Sequence, residues 1–296
     1  MSALVADIGG SKSRFALANS EGWPERILII ENATVPDLEG AVVRYLDETG
    51  ARPQAAILAV AGPIEGEEIA LTNRAWRFRR TDFAKRFGLS QLHIVNDFEA
   101  VAWALPRLGP RHTRPLGECT LSREGVKLAL GPGTGLGVAA LVPAKGRWNV
   151  VASEGGHASF GPDEAGEEAM FARLREQCGF VSAETVLSGP GLVRLARALD
   201  PKGAYAAPEP IVAEAHAGRS MALTITRLFV RLLGRLAGDL ALTFKALGGV
   251  YVTGGVAHGL GTLLKSISTH LVTYEQPGLV GCATLAQMGE TSGASA

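Results

Sequence analysis

Apolar residues along the chain fall into short unbroken runs that end in glycine turns. These alternate with stretches in which apolar positions recur every three or four residues. Residues 4–8 read as a strand that ends in Gly9-Gly10-Ser11-Lys12-Ser13, and residues 14–18 return at once as a second strand. A third strand is predicted over residues 26–30. From Pro36, suited to a first helical turn, to Thr49, the side chains of Leu38, Val42, Tyr45 and Leu46 share one helical face. Residues 55–60 are continuously apolar, as in a strand buried on both faces. A short strand at 69–71, a helix at 81–87, a strand at 92–95 and a helix from Phe98 follow.

The order then restarts. Strands at 126–130 and 137–142 bracket Gly131-Pro132-Gly133-Thr134-Gly135-Leu136-Gly137, and residues 148–152 form a third strand. Helices are predicted over 164–178, 190–198, 208–217 and 219–247. The last carries Met221, Ile225, Leu228, Leu232, Leu236, Leu240 and Phe244 on one face. The strand 250–253 runs into Gly254-Gly255, one short helix is expected near 262–268, and a final helix starts after Pro277-Gly278. Two mixed sheets, each opening on a strand, a glycine turn and a returning strand, suit a protein that grips a phosphate chain with main-chain N–H groups. The plainer reading is two ordinary α/β halves with glycine at their tight turns.

Composition narrows the classes. The 296 residues carry 29 basic and 29 acidic side chains, so neither a basic nucleic-acid binder nor a polybasic membrane-surface protein is expected. At 47% apolar and 20% charged the chain builds a core, and disorder is excluded. Cys119, Cys178 and Cys282 form no C-x-x-C pair, which argues against a zinc knuckle or a disulfide framework. No basic n-region precedes Asp7, and the uncharged windows 128–144 and 246–264 are broken by glycines. Neither a signal peptide nor a membrane span is therefore expected, the glycosylation triplet Asn32-Ala33-Thr34 carries no weight, and the expected compartment is the cytoplasm.

Several constellations carry chemistry. Asp7-Ile8-Gly9-Gly10-Ser11-Lys12 sets a carboxylate at a strand end, followed by glycines, a hydroxyl and an ammonium. Gly133-Thr134-Gly135-Leu136-Gly137 lies between two strands, so it lacks the strand–turn–helix context of a dinucleotide fingerprint and the ending of a Walker loop. Asn96-Asp97 stands where a buried strand gives way to a helix, the edge at which α/β folds bind ligands, although Asn and Asp also cap helices for structure alone. Ser153-Glu154-Gly155-Gly156-His157 and Glu184…Ser188-Gly189-Pro190-Gly191 add further acids, an imidazole and a capped helix start. Arg227, Arg231 and Arg235, four residues apart, read as a solvated helix face.

In order and spacing these motifs resemble the hexokinase-like bacterial glucokinases of the actin-like ATPase and sugar-kinase superfamily. The matching stretches are 6–14, 71–76 (Leu-Thr-Asn-Arg-Ala-Trp), 94–100, 130–138, 153–157, 181–191, 252–256 and 277–281. The resemblance implies an α/β fold of two ribonuclease-H-like domains, with mixed sheets flanked by helices and a cleft between them that closes over glucose and Mg-ATP. It implies a small domain at 1–108, a large one at 109–277, and a C-terminal helix at 278–296 packing back on the small domain. Carried over by position, Asp97 is the general base on the sugar 6-hydroxyl, and Asn96, Glu154, His157 and Glu184 bind the other hydroxyls. A neutral polyol needs such acceptors. Asp7, with Gly9, Gly10, Ser11 and Lys12, lies at the metal and phosphates, Asp7 reaching magnesium through water. Gly133, Thr134 and Gly135 join from the second half, and Gly254 and Gly255 approach the adenosine.

Two departures stand out. The family usually reads Thr-Asn-Ala-Arg after the first glycine pair, where this chain has Ser11-Lys12-Ser13-Arg14. Lys12 has two readings, a phosphate contact or a solvated side chain. The chain is also shorter between Gly255 and Pro277 by roughly twenty residues, judged against usual element lengths. A trimmed wall on the nucleotide side is therefore expected. The zinc motif of the repressor–kinase group is absent. The sequence thus points to an ATP-dependent, magnesium-using hexose 6-kinase of carbohydrate metabolism acting on D-glucose. Its partners are glucose and ATP, with no nucleic acid or membrane, and a homodimer is one expected assembly. A kinase for a related hexose and a non-catalytic sugar sensor on the same fold are the alternatives.

Overall fold

The computed structural model describes residues 3–293 except 73, 118–120, 123, 202, 204 and 268. Asn73 of the Leu-Thr-Asn-Arg-Ala-Trp stretch and Cys119 therefore lie outside the described residues. The chain divides into two compact units, residues 1–107 with 275–296, and residues 108–274.

In the first unit the elements are β1 (Ala3–Ile8), β2 (Lys12–Ala18), β3 (Pro24–Glu31), α1 (Leu38–Thr49), β4 (Ala55–Val60), β5 (Glu68–Ala70), β6 (Arg77–Arg79), α2 (Arg80–Arg86), β7 (Gln91–Asn96) and α3 (Asp97–Ala104). The sheet order is β3-β2-β1-β4-β7, with β1, β4 and β7 parallel and the two outer strands antiparallel; β5 and β6 form a separate hairpin. Asp37 caps α1 by accepting from the Gly40 N–H, and Gly50 ends the helix at a φ of 65°, a conformation open to glycine. One face of the sheet buries Leu4, Ile8, Phe15 and Leu58 against Leu38, Val42 and Tyr45 of α1.

The second unit contains β8 (Thr113–Leu116), β9 (Lys127–Pro132), β10 (Leu136–Ala144), β11 (Arg147–Ser153), α4 (Glu168–Cys178), α5 (Ala183–Val186), α6 (Gly189–Leu199), α7 (Pro208–His216), α8 (Ser220–Phe244), β12 (Val250–Val252), α9 (Gly255–Leu260) and β13 (Thr269–Val272). Its sheet runs β11-β10-β9-β12-β13-β8, with β9, β12 and β13 parallel. Leu128, Leu130 and Val138 on this sheet pack against Phe229, Leu232 and Leu233 of α8 in one large core. The last helix, α10 (Pro277–Gly293), belongs to the first unit. There it covers the second sheet face, where Leu279, Cys282 and Ala283 meet Val5, Ala16 and Ala59.

Three sequence expectations change. Residues 255–273 hold more than one short helix: α9, a 3₁₀ turn at Gly261–Ser266 and the strand β13. The edge strand β8 escapes the pattern because it is four residues long and contains Pro115, which sheets accept only at an edge. The third concerns the α8 arginines. Arg227 is exposed, but Arg231 and Arg235 reach the carboxylate of Glu167, at 2.8 and 3.2 Å, and that side chain is only 4% exposed. Arg235 also donates to the Gly161 carbonyl at 2.6 Å and lies 4.2 Å over the Phe160 ring, while Arg231 pairs with Glu164. Because Glu167 accepts from the Asp163 N–H, residues 161–167 wrap this carboxylate and α4 begins at Glu168 rather than 164.

Burial pushes the Glu167 carboxyl up, but the N–H groups of Asp163 and Glu164 and the two guanidinium groups outweigh it and hold it low. A depressed carboxyl stabilises above its unfolded value of 4.5, and that contribution fades as pH falls through the folded value. Glu167→Ala leaves two arginines facing a buried gap. Urea unfolding should show a loss of about 3–5 kcal/mol at pH 7 that shrinks towards pH 3. A loss below about 1 kcal/mol would mark the cluster as ordinary surface pairing.

Candidate functional site

In the first unit the site residues gather at one sheet edge because three parallel strands end together. Ile8, Val60 and Asn96 are in register across β1, β4 and β7. Asp7 is therefore the penultimate residue of β1, and Asp97 opens α3 just past β7. Asn96 caps α3: its side-chain oxygen accepts from the Phe98 N–H at 2.9 Å, and Asp97 Oδ1 accepts from the same N–H at 2.9 Å. Burial, and then repulsion from Asp7, push the Asp97 carboxyl up to about 7, against the pull of these N–H groups. Burial likewise raises Asp7, with the Arg14 guanidinium 3.5 Å away partly offsetting it. The turn that follows β1 closes by the Gly9 N–H donating to the Lys12 carbonyl at 3.1 Å. Lys12 itself pairs with Glu31 across β2 and β3 at 2.7 Å, both side chains about half exposed.

In the second unit the glycine turn between β9 and β10 is fixed from three sides. The Gly189 N–H, at the start of α6, donates to the Gly133 carbonyl at 2.8 Å, and the Gly133 N–H donates to Gly135 at 2.8 Å. Glu184 accepts from the Leu136 N–H at 2.8 Å. Gly135 has no room for a side chain, since a Cβ there would lie 2.5 Å from the Glu184 carboxylate. Gly254, at a φ of 97°, sits where a Cβ would fall 2.6 Å from the Pro132 carbonyl, so only glycine lets the end of β12 approach this turn. Glu184 stands on α5, whose start is fixed by a capping box between Ser182 and Thr185.

Glu154 and His157 flank the 3₁₀ turn after β11, 3.6 Å apart, with side chains 85% and 61% exposed. The structure thus brings Gly133, Thr134, Gly135, Glu184, Gly254 and Gly255 to one region of the second unit. Glu154 and His157 lie at the same end of the sheet, where Val138 of β10 pairs with Ser153 of β11.

Beside this turn opens a cavity of about 590 Å³ lined by Gly133 and Thr134, by Gly189 and Pro190 of α6, by Pro208, Glu209, Val212 and Ala213 of α7, and by Gly255, Val256 and Gly259 of α9. Two of its walls are α7 and α9, the latter a helix that the sequence pattern did not show. The α7 lining residues do not stand out in the sequence because nothing in Pro-Glu-Pro-Ile-Val-Ala distinguishes a lining face from any short amphipathic helix. The carboxylates also bear on a metal. Among the described residues no three His, Cys, Asp or Glu side chains converge as a dedicated cage. A single strand-end carboxylate, Asp7, beside a glycine turn suits magnesium, which keeps its waters and is carried on substrate phosphates.

Comparison with known proteins agrees with this geometry. The family model for glucokinase matches residues 4–289. The glucokinase of Chelativorans sp. (strain BNC1) is 42% identical over 270 residues, 89% of this chain and 79% of that protein. The bifunctional protein glk of Burkholderia lata is 38% identical over 307 residues, 95% of this chain but 48% of that protein, so the chain spans about half its length. The crystal structure of a glucokinase from an Antarctic psychrotroph superposes with a TM-score of 0.83 at 31% identity, covering 96% of this chain and 98% of that one. With nearly its whole length matched, and both glycine turns and Asn96-Asp97 set at their sheet edges, the chain belongs to the glucokinase family.

Proposed function

We propose that the protein transfers the γ-phosphoryl group of ATP to the 6-hydroxyl of D-glucose, giving glucose 6-phosphate and ADP, in the cytoplasm. The observation that carries this reading is Asp97: a carboxyl at the end of a buried strand, pushed up to about 7, at the start of a helix that Asn96 caps. A group titrating there takes a proton from a sugar hydroxyl at neutral pH. In the step, the proton of the 6-hydroxyl passes to Asp97, the sugar oxygen bonds to the γ-phosphorus, and the bridging oxygen leaves with ADP.

In the first unit, Asn96 accepts or donates to a neighbouring sugar hydroxyl. Asp7 and the turn Gly9, Gly10, Ser11 and Lys12 serve the phosphates. In the second unit, Glu154, His157 and Glu184 take sugar hydroxyls, Gly133, Thr134 and Gly135 offer main-chain N–H groups to the phosphates, and Gly254 and Gly255 border the adenosine. Asp7 would hold magnesium carried by the nucleotide, and the ion would neutralise phosphate charge there.

A coupled assay over a panel of hexoses, with and without ATP and magnesium, tests the reading: glucose should be turned over, and only with both present. Asp97→Asn should lower kcat by roughly 10²–10⁴ while glucose affinity stays within about tenfold. In the parent, kcat/KM should fall about tenfold per pH unit below about pH 7. Turnover close to that of the parent in the purified variant would remove Asp97 as the base.

The same carboxyl makes a prediction about stability. The unfolded chain ionises it near 3.8 and the folded one near 7, so the folded state binds the extra proton between those values and stability falls as pH rises through them. Asp97→Asn removes that loss. A shift of this size is about 4 kcal/mol, so its thermal midpoint should exceed the parent's by roughly 8–16 °C at pH 8 and match it near pH 4; equal midpoints at both pH values would contradict the shift.

The cavity beside Thr134 gives a further test. Ala213 is exposed on its α7 wall, so Ala213→Trp fills the space without entering the core. The KM for ATP should rise at least tenfold, about 1.4 kcal/mol, with the KM for glucose unchanged. An unchanged ATP KM would place the nucleotide elsewhere.

A further inference from the structure

Asn32, met in the sequence only as the first residue of an Asn-Ala-Thr triplet, is fully buried at the end of β3. Its side chain is directed at the first glycine turn. Nδ2 donates to the Gly9 carbonyl at 2.8 Å and to the Gly10 carbonyl at 3.2 Å, and Oδ1 accepts from the Ser13 hydroxyl at 2.7 Å. The Asn32 N–H donates to the Ser11 carbonyl at 2.9 Å. From behind, Arg74 donates to the Asn32 carbonyl at 2.6 Å and lies 4.6 Å over the Trp76 ring. Burial closes the amide to any glycan.

The carbonyl and N–H of one trans peptide unit point in opposite directions. Drawing the carbonyls of Gly9 and Gly10 towards Asn32 therefore aims the N–H groups of Gly10 and Ser11 the other way. Neither of these N–H groups has a hydrogen-bond acceptor among the described residues. The turn itself contains no amide side chain to do this, since it reads Gly-Gly-Ser-Lys-Ser.

We propose that Asn32 is the positioning residue of the first phosphate turn, holding the Gly10 and Ser11 N–H groups towards the nucleotide's phosphates, with Arg74 fixing Asn32 in turn. This rests on the reading of the chain as an ATP-dependent kinase. Asn32 touches neither sugar nor nucleotide; it acts through the turn. Asn32→Asp keeps the shape and removes both donors. Asn32→Ala removes the side chain, and Ser13→Ala removes only the hydroxyl that leans on Oδ1.

The test measures the dissociation constants of ADP without metal, and of glucose, by calorimetry on each purified protein, together with KM and kcat for ATP and glucose. The expected result for Asn32→Asp and Asn32→Ala is an ADP constant and an ATP KM raised at least tenfold, with the glucose constant within threefold of the parent. Ser13→Ala should shift the ADP constant in the same direction by less. If the Asn32 variants do not fold, Arg74→Met, which frees Asn32 from behind without touching the turn, should raise the ADP constant several-fold and leave glucose unchanged. Unchanged ADP affinity in the folded variants, or ADP and glucose weakened together in equal measure, would overturn the proposal. A parent protein that binds ADP but does not phosphorylate any hexose would instead overturn the kinase reading and leave the role of Asn32 standing.

Discussion

Main-chain N–H groups can bind an anion only if the carbonyls of the same turn are tied down elsewhere. A free glycine turn samples many orientations, and its own carbonyls repel phosphate as readily as its N–H groups attract it. Each unit meets this constraint with different residues. In the first, the amide of Asn32 takes two carbonyls and its backbone takes a third. In the second, the Gly189 N–H takes the Gly133 carbonyl, Glu184 takes the Leu136 N–H, and the Gly254 backbone packs on Pro132. The surrounding architecture follows from this. The strands must end together, the helices α6 and α9 must start at the turn, and glycine must stand wherever two backbones approach too closely for a Cβ.

The sheet edge beside the first glycine turn also sets the environment of Asp97. Parallel strands bring β1 and β7 to a common end with only β4 between them, about 10 Å of backbone spacing. Burial raises both carboxyls, and repulsion from Asp7 adds to the rise of Asp97, against the pull of the Phe98 and Asp97 N–H groups and the Asn96 side chain. Asp7 has Arg14 opposite it in the antiparallel register of β1 and β2, and that guanidinium offsets part of its own rise. On the proposed reading Asp97, pushed up to about 7, is the base, and Asp7 with its guanidinium neighbour faces the phosphates.

Much of this was legible in the sequence. The repeated strand, glycine turn and returning strand appear as apolar runs broken at Gly9-Gly10 and Gly133–Gly137, and the structure builds both as the opening of a mixed sheet. Asn96-Asp97 was legible as the point where a buried strand gives way to a helix, and there Asn96 caps α3. What stayed hidden depends on contacts distant in sequence. Asn32 lies nineteen residues beyond Ser13, and no local pattern marks the amide that will turn back on a glycine pair. Arg231 and Arg235 looked solvated because helical spacing says nothing of a carboxylate as distant as Glu167, 68 residues before Arg235. The short helix α9 escaped because Gly-Val-Ala-His-Gly-Leu shows no single period, and β13, Thr-His-Leu-Val, because its pairing with β12 and β8 decides it.

On the proposed reading, the two kinds of ligand contact in the second unit differ in how far they are prepared. The glycine turn is already held by hydrogen bonds, and that rigidity would confine phosphate recognition to a fixed backbone shape. Glu154 and His157 are mostly exposed and face each other across 3.6 Å. Exposed acceptors exchange water for sugar hydroxyls at little net gain per bond, so affinity from them is modest. Discrimination is another matter: a hydroxyl missing or inverted leaves an acid unpaired once the water is gone, and the penalty then exceeds the gain that a correct bond gave. Glu184 links the two behaviours, because the carboxylate proposed to meet the sugar is already fastened to the Leu136 N–H of the phosphate turn. On the proposed reading, a shift of that side chain towards a sugar hydroxyl would pull on the glycine turn, so that one hydrogen bond would link the two ligand contacts of this unit.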